Sequence, residues 1–299
     1  MVSLKKLIPP LAGALLLVAT TAHADRPVLH LAFTVTDNSL VDPASAHAAA
    51  APLVRRLGQM AGERVTFAYV PKSEALLEEM KARRVNFAIT SSLVYVQLAA
   101  ELELQPLTLA QTAGKSRFQL QLLVQSSSPI RKVAQLRGKS ISINRRHRSG
   151  WMFLENQLRR ARAGVPSAFF GQIRSPLRTK SVILDLLMGE VDGCVTSDAA
   201  ISAMAKLNSQ VKTRFRVVAH SSPLATPVLF AAKGAPAVEK LRNVALRLHK
   251  DTVGRQLLMV FRIERMVPVD KGAFETQRAM VEEHEKRTKP AQDKGRRTR

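Results

Sequence analysis

One cysteine in 299 residues, Cys194, has nothing to pair with inside the chain. An internal disulfide is excluded, so stability has to come from an ordinary packed core. Aromatic residues are also scarce, at 5% of the chain, with one tryptophan and two tyrosines. Nucleic-acid binding by base stacking needs aromatic platforms that this composition does not supply. Acids are outnumbered two to one, 23 Asp and Glu against 46 Lys and Arg. Apolar runs are short, and none approaches the ~20 residues that a membrane-spanning helix requires. No Ser-His-Asp order or carboxylate pair stands out as catalytic, no histidine or cysteine spacing suits a metal, and nothing calls for a cofactor. An enzyme is not expected.

What is there begins with an address. Lys5 and Lys6 precede the apolar stretch Leu11–Ala19, and Ala22-His23-Ala24 follows. A basic start, a short apolar core and an A-x-A site make a secretory signal peptide over residues 1–24, cut after Ala24. Cys194 lies far from that cut, so a lipid-anchored mature N-terminus is not expected. The expected location is a bacterial periplasm. The formal charge is +23; without the two leader lysines and the net +6 of residues 286–299, +15 remains on residues 25–285. With nucleic acid disfavoured by export, a small anionic ligand or a negatively charged membrane surface fits that charge. Residues 286–299 mix Lys, Arg, Pro, Gly and Gln without apolar periodicity, which predicts a disordered basic tail able to contact lipid.

Strand and helix patterns alternate, which predicts an α/β architecture, and about 275 mature residues favour two lobes. Val28–Thr36 reads as a first strand, Asp42-Pro43 as the opening of a helix towards Gly58, and Val65–Val70 as a second strand. A quasi-repeat follows. "KSEALLEEMKARRVNFAITSS" (72–92) resembles "KSVILDLLMGEVDGCVTSD" (180–198). Each half has Lys-Ser, a helical apolar stripe (Leu76, Leu77, Met80; Ile183, Leu184, Leu187) and a short strand. The strands end in Thr90-Ser91-Ser92 and Thr196-Ser197-Asp198. Two similar lobes would then present hydroxyls at the carboxyl end of a strand, the edge at which open α/β sheets bind ligands. Thr179 and Lys180 open the second repeat helix, with Lys72 and Ser73 as their counterparts. Asp198 could accept a proton from a partly protonated oxyanion, bind an amine, or cap the helix expected at 199–206.

"NRRHRSGW" (144–151) places Arg145, Arg146, His147 and Arg148 between a predicted strand, Ser140–Ile143, and a helix running to about Ala163. With Ser149 as the cap, the amides of Gly150, Trp151 and Met152 would face an anion at the positive end of the helix dipole. Arginines beside it could pair with an oxyanion, or form a solvated basic turn. "AGKS" (113–116) and "RGKS" (137–140) imitate a phosphate loop, but Leu109 and Val133 stand where it needs glycine, so both read as turns. Cys194, inside a predicted buried strand, reads as core.

The order of these segments resembles the periplasmic phosphonate/phosphate/phosphite-binding proteins. "LRGKSISINRRHRSGWMFLENQLRRAR" is similar to that family's Leu-x-Gly-Lys, strand and loop ending Ser-Gly-aromatic, matched by Ser149, Gly150 and Trp151. "LLMGEVDGCV", "SSPLATPVLFAAKG" and "GRQLLMVFRIERMVPVDKGAF" resemble its later segments, over residues 28–276. The resemblance implies a type II two-lobed fold with mixed sheets and two crossover strands. Lobe 1 would comprise residues 25–117 and 233–285, and the crossovers with lobe 2 residues 118–232. It implies capture of an oxyanion for an ABC importer's permease; the alternative is a sensor, on the same shell, serving a membrane histidine kinase. Arginines replace the family's small hydroxyl residues in the loop, Arg178 and Thr179 stand at its Ser-His, and Ser91-Ser92 before Tyr95 at its Gly-Pro. The candidate contacts are therefore Thr90, Ser91, Ser92, Tyr95, Arg145, Arg146, Arg148, Ser149, Gly150, Trp151, Thr179, Lys180, Ser197 and Asp198.

Overall fold

The structure is a computed structural model and describes residues 28–34 and 43–288. The expected signal peptide, the proposed cap Asp42 and residues 289–299 lie outside the described residues. The first lobe opens with β1 (Leu29–Phe33), α1 (Pro43–Ala61), β2 (Val65–Tyr69), α2 (Ser73–Lys81), β3 (Phe87–Thr90), α3 (Ser92–Ala99) and β4 (Leu104–Gln111). A two-residue strand, β5 (Arg117–Phe118), leads out of it. The second lobe holds β6 (Leu120–Gln125), β7 (Ser140–Ile143), α4 (Arg148–Arg160), α5 (Pro166–Phe169), β8 (Gln172–Arg174), α6 (Thr179–Leu187), β9 (Gly193–Ser197), α7 (Asp198–Ala205) and β10 (Phe215–His220). β11 (Leu224–Ala225) returns to β12 (Val228–Ala232), α8 (Val238–Arg247), α9 (Thr252–Val260), β13 (Arg265–Pro268) and α10 (Glu275–Thr288).

Two sheets carry the lobes. Strand order is β13-β4-β12-β3-β1-β2 in the first and β10-β6-β9-β7-β8 in the second, with β5 and β11 paired between them. In each, three strands run parallel (β2, β1, β3; β8, β7, β9) and the next is antiparallel (β12; β6). The near-continuous burial of β1, LHLAF, follows from helices covering both faces of a parallel region. Because β12 lies inside the first sheet, the chain is back in lobe 1 by Val228, not at 233 as expected. α10 runs on to Thr288, so residues 286–288 are helical where a tail was expected from 286. This helix packs on α3 of one lobe and α4 of the other.

The repeat is present, shifted in register. The helices open at Ser73 and Thr179, behind Lys72 and Arg178, so Lys72-Ser73 matches Arg178-Thr179 and not Lys180-Ser181. The two segments then align without a gap. Leu76 and Met80 correspond to Val182 and Leu186, all buried. Arg83 and Gly189 both take positive φ, and Ser91 and Ser197 both stand one residue before a helix. The Lys-Ser pairs that drew attention to the repeat are out of step because the sequence match ignored where each helix starts.

Candidate functional site

The same short construction occurs in both lobes. β3 ends at Thr90, and the Ser91 hydroxyl caps α3 by accepting the Val94 N–H at 3.3 Å. β9 ends at Ser197, whose hydroxyl accepts the Ala200 N–H at 3.1 Å and caps α7. Extended backbone at the cap and helical backbone after it turn each first-turn amide set towards the carboxyl edge of its sheet. A third helix start, that of α4, brings Ser149 to the same place. Ser91, Ser149 and Ser197 line one cavity of about 190 Å³, together with Thr34, Thr90 and Ser92.

The charged residues in that wall are Lys115, Arg117 and Arg262; among the described residues no carboxylate lines it. Lys115 arrives on a two-residue hairpin, in which Ala113 and Gly114 both have positive φ and Thr112 and Lys115 exchange backbone bonds at 2.9 and 3.0 Å. "AGKS" is thus a turn, as expected, yet it delivers a cation. Arg117, on crossover strand β5, pairs with Asp270 and donates to the Ala273 carbonyl at 3.2 Å, which holds it at the hinge. Thr34 is 4% exposed, and its hydroxyl has no hydrogen-bond partner among the described residues. Helix starts, hydroxyls and three basic side chains, of which Arg117 is paired with Asp270, make the wall electropositive and suited to an anion.

A family model described as "ABC transporter, phosphonate, periplasmic substrate-binding protein" matches residues 38–274. The chain belongs to this family of periplasmic substrate-binding proteins. Solved structures agree on the fold. XAC2383 from Xanthomonas citri, bound to chloride ion, is similar at 19% identity and TM-score 0.68, over 87% of this chain and 98% of that one. PhnD1 from Prochlorococcus marinus, in complex with methylphosphonate, is similar at 15% identity and TM-score 0.63, over 87% and 97%. A binding protein component of an ABC phosphonate transporter from Pseudomonas aeruginosa reaches TM-score 0.63 at 13% identity, over 86% of each chain. No curated protein matches the chain. The family consists of substrate-binding components, not enzymes, and acts in the periplasm with the permease of an ABC transporter.

Within this phosphonate-family binding protein, Thr90, Ser91, Ser92, Ser149 and Ser197 reach the cavity wall, and the other sequence-selected residues stand elsewhere. Tyr95 is core: its ring lies 4.5 Å from that of Phe274 and 5.2 Å from that of Phe230, and burial pushes its phenol up. The arginine loop is organised by Asn144. Its side chain accepts from the Arg146 N–H at 2.8 Å and donates to Leu177 O at 3.0 Å and the Thr179 hydroxyl at 3.3 Å. Its carbonyl accepts the Trp151 indole N–H at 3.2 Å. Thr179 and Trp151 are thereby anchors of the loop, and Arg145, Arg146 and Lys180 are exposed. Arg148 reaches across to lobe 1, donating to the Ser73 hydroxyl at 2.8 Å with the Glu74 carboxylate 3.5 Å away.

The helix start is also shifted. His147, not Ser149, stands at the N-cap position of α4, so its first-turn amides belong to Arg148, Ser149 and Gly150; Trp151 N–H already bonds to His147 O at 3.0 Å. Gly150 is required by packing, because a Cβ there would sit 2.6 Å from His147 Nδ1. Asp198 accepts from the Gln119 and Ala199 N–H groups, both at 2.8 Å, so it ties α7 to the crossover. Cys194 is buried, and burial, with the Asp185 charge, pushes its thiol pKa up. The residues that sequence reasoning missed, Thr34, Lys115, Arg117 and Arg262, come from segments far apart in the chain. Local signals existed for two of them: Thr34 is a polar residue just past the first strand, and Lys115 is the lysine of the "AGKS" turn.

Proposed function

We propose that the protein captures a small tetrahedral oxyanion, phosphonate- or phosphate-like, between its lobes and presents it to the permease of an ABC importer. The observation that carries this reading is the convergence of three helix starts from two lobes, at Ser91, Ser149 and Ser197, on a cavity whose charged lining residues are all basic. Ser91 belongs to lobe 1, and Ser149 and Ser197 to lobe 2. An anion bonded to all three favours the closed arrangement by its differential affinity for it. Lys115, Arg117 and Arg262 supply the surrounding positive field, and Thr34 a further donor. The basic leader ending in Ala22-His23-Ala24 is the export signal that this role requires.

The test is calorimetry and thermal shift with methylphosphonate, phosphite, phosphate, sulfate and arsenate. At least one phosphorus oxyanion is expected to raise the melting temperature, by a stabilisation of about 2.7 kcal/mol at a hundred times Kd. Ser149→Ala and Ser197→Ala should each weaken binding by about 1.5–3 kcal/mol, the range for hydrogen bonds to a charged group. A sugar or an amine that shifts the melt while every oxyanion fails would overturn the reading.

A further inference from the structure

A second basic region lies at the end of lobe 2 away from the cleft. β7, β8 and β9 run parallel, β10 runs with them, and β6 ends where they begin. The segments 126–139, 188–192 and 212–214 therefore share the amino edge of the second sheet. Arg131, Lys132, Arg137, Lys139, Lys212 and Arg214 are exposed there. The carboxylates of this edge are engaged: Glu190 pairs with Arg174, and Asp192 accepts from the Ser140 N–H and hydroxyl at 2.8 and 2.7 Å. Arg131 and Arg216 both donate to the carbonyls of Ser128 and Ile130, two like charges side by side with neutral acceptors. Burial, with the Arg131 charge, pushes the Arg216 pKa down. An anionic neighbour would relieve that repulsion.

The same edge also carries protruding apolar side chains. α6 and α7 each start at the carboxyl edge and end at the amino edge, leaving Met188 and Leu207 just beyond their last turns, 69% and 72% exposed. One exposed leucine means little. Two such side chains among six cations have the composition of a membrane-interfacial surface, with apolar groups to enter the acyl boundary and cations to meet phosphates. Breadth excludes a single small anion. From β10 to β7 is three strand spacings, about 14 Å, which is room for several lipid headgroups. We infer that the amino edge of lobe 2 docks on an anionic lipid surface, through these six cations and through Met188 and Leu207. Ser149 and Ser197 line the cavity at the opposite edge, so the docked protein still takes up ligand. Docking this way concentrates it at the membrane that carries its permease.

The experiment is co-sedimentation of the exported protein with vesicles of phosphatidylglycerol and phosphatidylcholine, at low and high salt, with pure phosphatidylcholine as the control. Binding to the anionic vesicles is expected, weakened but not abolished by salt. Lys132→Gln, Lys212→Gln and Arg214→Gln, each checked by thermal melting, should lower the partition coefficient about fivefold apiece at low salt. Met188→Ser and Leu207→Ser should weaken binding at high salt, where the cations are screened. Arg145→Gln and Arg146→Gln, at the opposite edge, should change nothing. Absence of binding to anionic vesicles at low salt overturns the docking surface. Binding that survives the three glutamine variants but disappears on removal of residues 289–299 also overturns it, by moving the contact to the basic end of the chain. Retention on immobilised polyaspartate without vesicle binding would make the partner an acidic protein and overturn the lipid.

Discussion

At the scale of single residues, the basic loop at 144–151 shows how a charged motif can be structural. Asn144 gathers the Arg146 amide, Thr179, Leu177 and Trp151 around itself, and Gly150 makes room for the His147 ring. Gly150→Ala should therefore cost about 1–3 kcal/mol, the range for overpacking a filled site, measured by chemical denaturation with and without ligand. Stability unchanged within a few tenths would mean that His147 moves aside freely. Arg145→Gln and Arg146→Gln should leave both stability and affinity alone. Cys194, buried in β9 with its thiol pKa raised, should react with a thiol reagent only as fast as the protein unfolds, both for want of access and for want of thiolate. Rapid labelling of the native protein would contradict that placement.

At the scale of elements, the repeated helix–strand–helix unit explains why the site has two similar halves. Both turns after the repeat helices need positive φ, met by Arg83 (57°) in one and Gly189 (76°) in the other. Gly189→Ala should cost about 1–2 kcal/mol because Cβ crowds the carbonyl in that conformation, and Arg83→Gly should recover part of a similar strain. Urea midpoints of the two variants, moving in opposite directions, are the check. α9 has its own cap, Asp251, which accepts from Gly254 N–H at 2.7 Å and from Arg56 Nε at 2.9 Å. These contacts, the Arg56 hydrogen bond foremost, hold its carboxyl down at about 2. A folded value below the unfolded ~3.9 stabilises the protein above about pH 4, and that contribution is lost as pH falls towards 2. Asp251→Asn should lower the melting temperature at neutral pH and flatten its decline across that acid window.

At the scale of the molecule, the five-stranded sheet repeats the order of the six-stranded one without edge strand β13, and the strand next to the three parallel ones, β12 or β6, reaches each sheet through a crossover from the other lobe. The β5–β11 pair joins the lobes. Two further features span them. Arg148 of α4 bonds to Ser73 of α2, and Glu283 of α10 pairs with Arg159 and Arg160 of α4. With 44% and 74% side-chain exposure, the Arg148–Glu74 pair is worth less than about 1 kcal/mol. Arg148→Gln should accordingly raise Kd less than about fivefold, acting mainly through faster dissociation; stopped-flow release of an oxyanion would measure it. A loss of several kcal/mol would move Arg148 from the lobe contact into the binding seat. Removing residues 289–299 should leave oxyanion affinity unchanged, since the cavity wall is built from residues 33–266.

What the sequence determined by itself was the class of the fold, the repeat and the serines that close its strands. Those features are local: a strand ending in Thr-Ser before a helix has a cap written into three consecutive residues, and both Ser91 and Ser197 fill it. The registers were less secure. Ser149 passed for a cap because serine favours that position, but the bonds around Asn144 and His147 start the helix at Arg148. Tyr95 passed for a cleft residue because nothing in an eight-residue helix shows that Phe230 and Phe274, more than a hundred positions away, will enclose it. Only the tertiary structure decided which cations line the cavity. The densest basic run in the body of the chain, Arg145 to Arg148, was folded outwards or onto the other lobe, and Lys115, Arg117 and Arg262 were carried to the cavity by a hairpin, a crossover and a helix end. Charge density along a chain is a one-dimensional property. The field at a cleft depends on distances that only the crossing of the chain between two lobes creates.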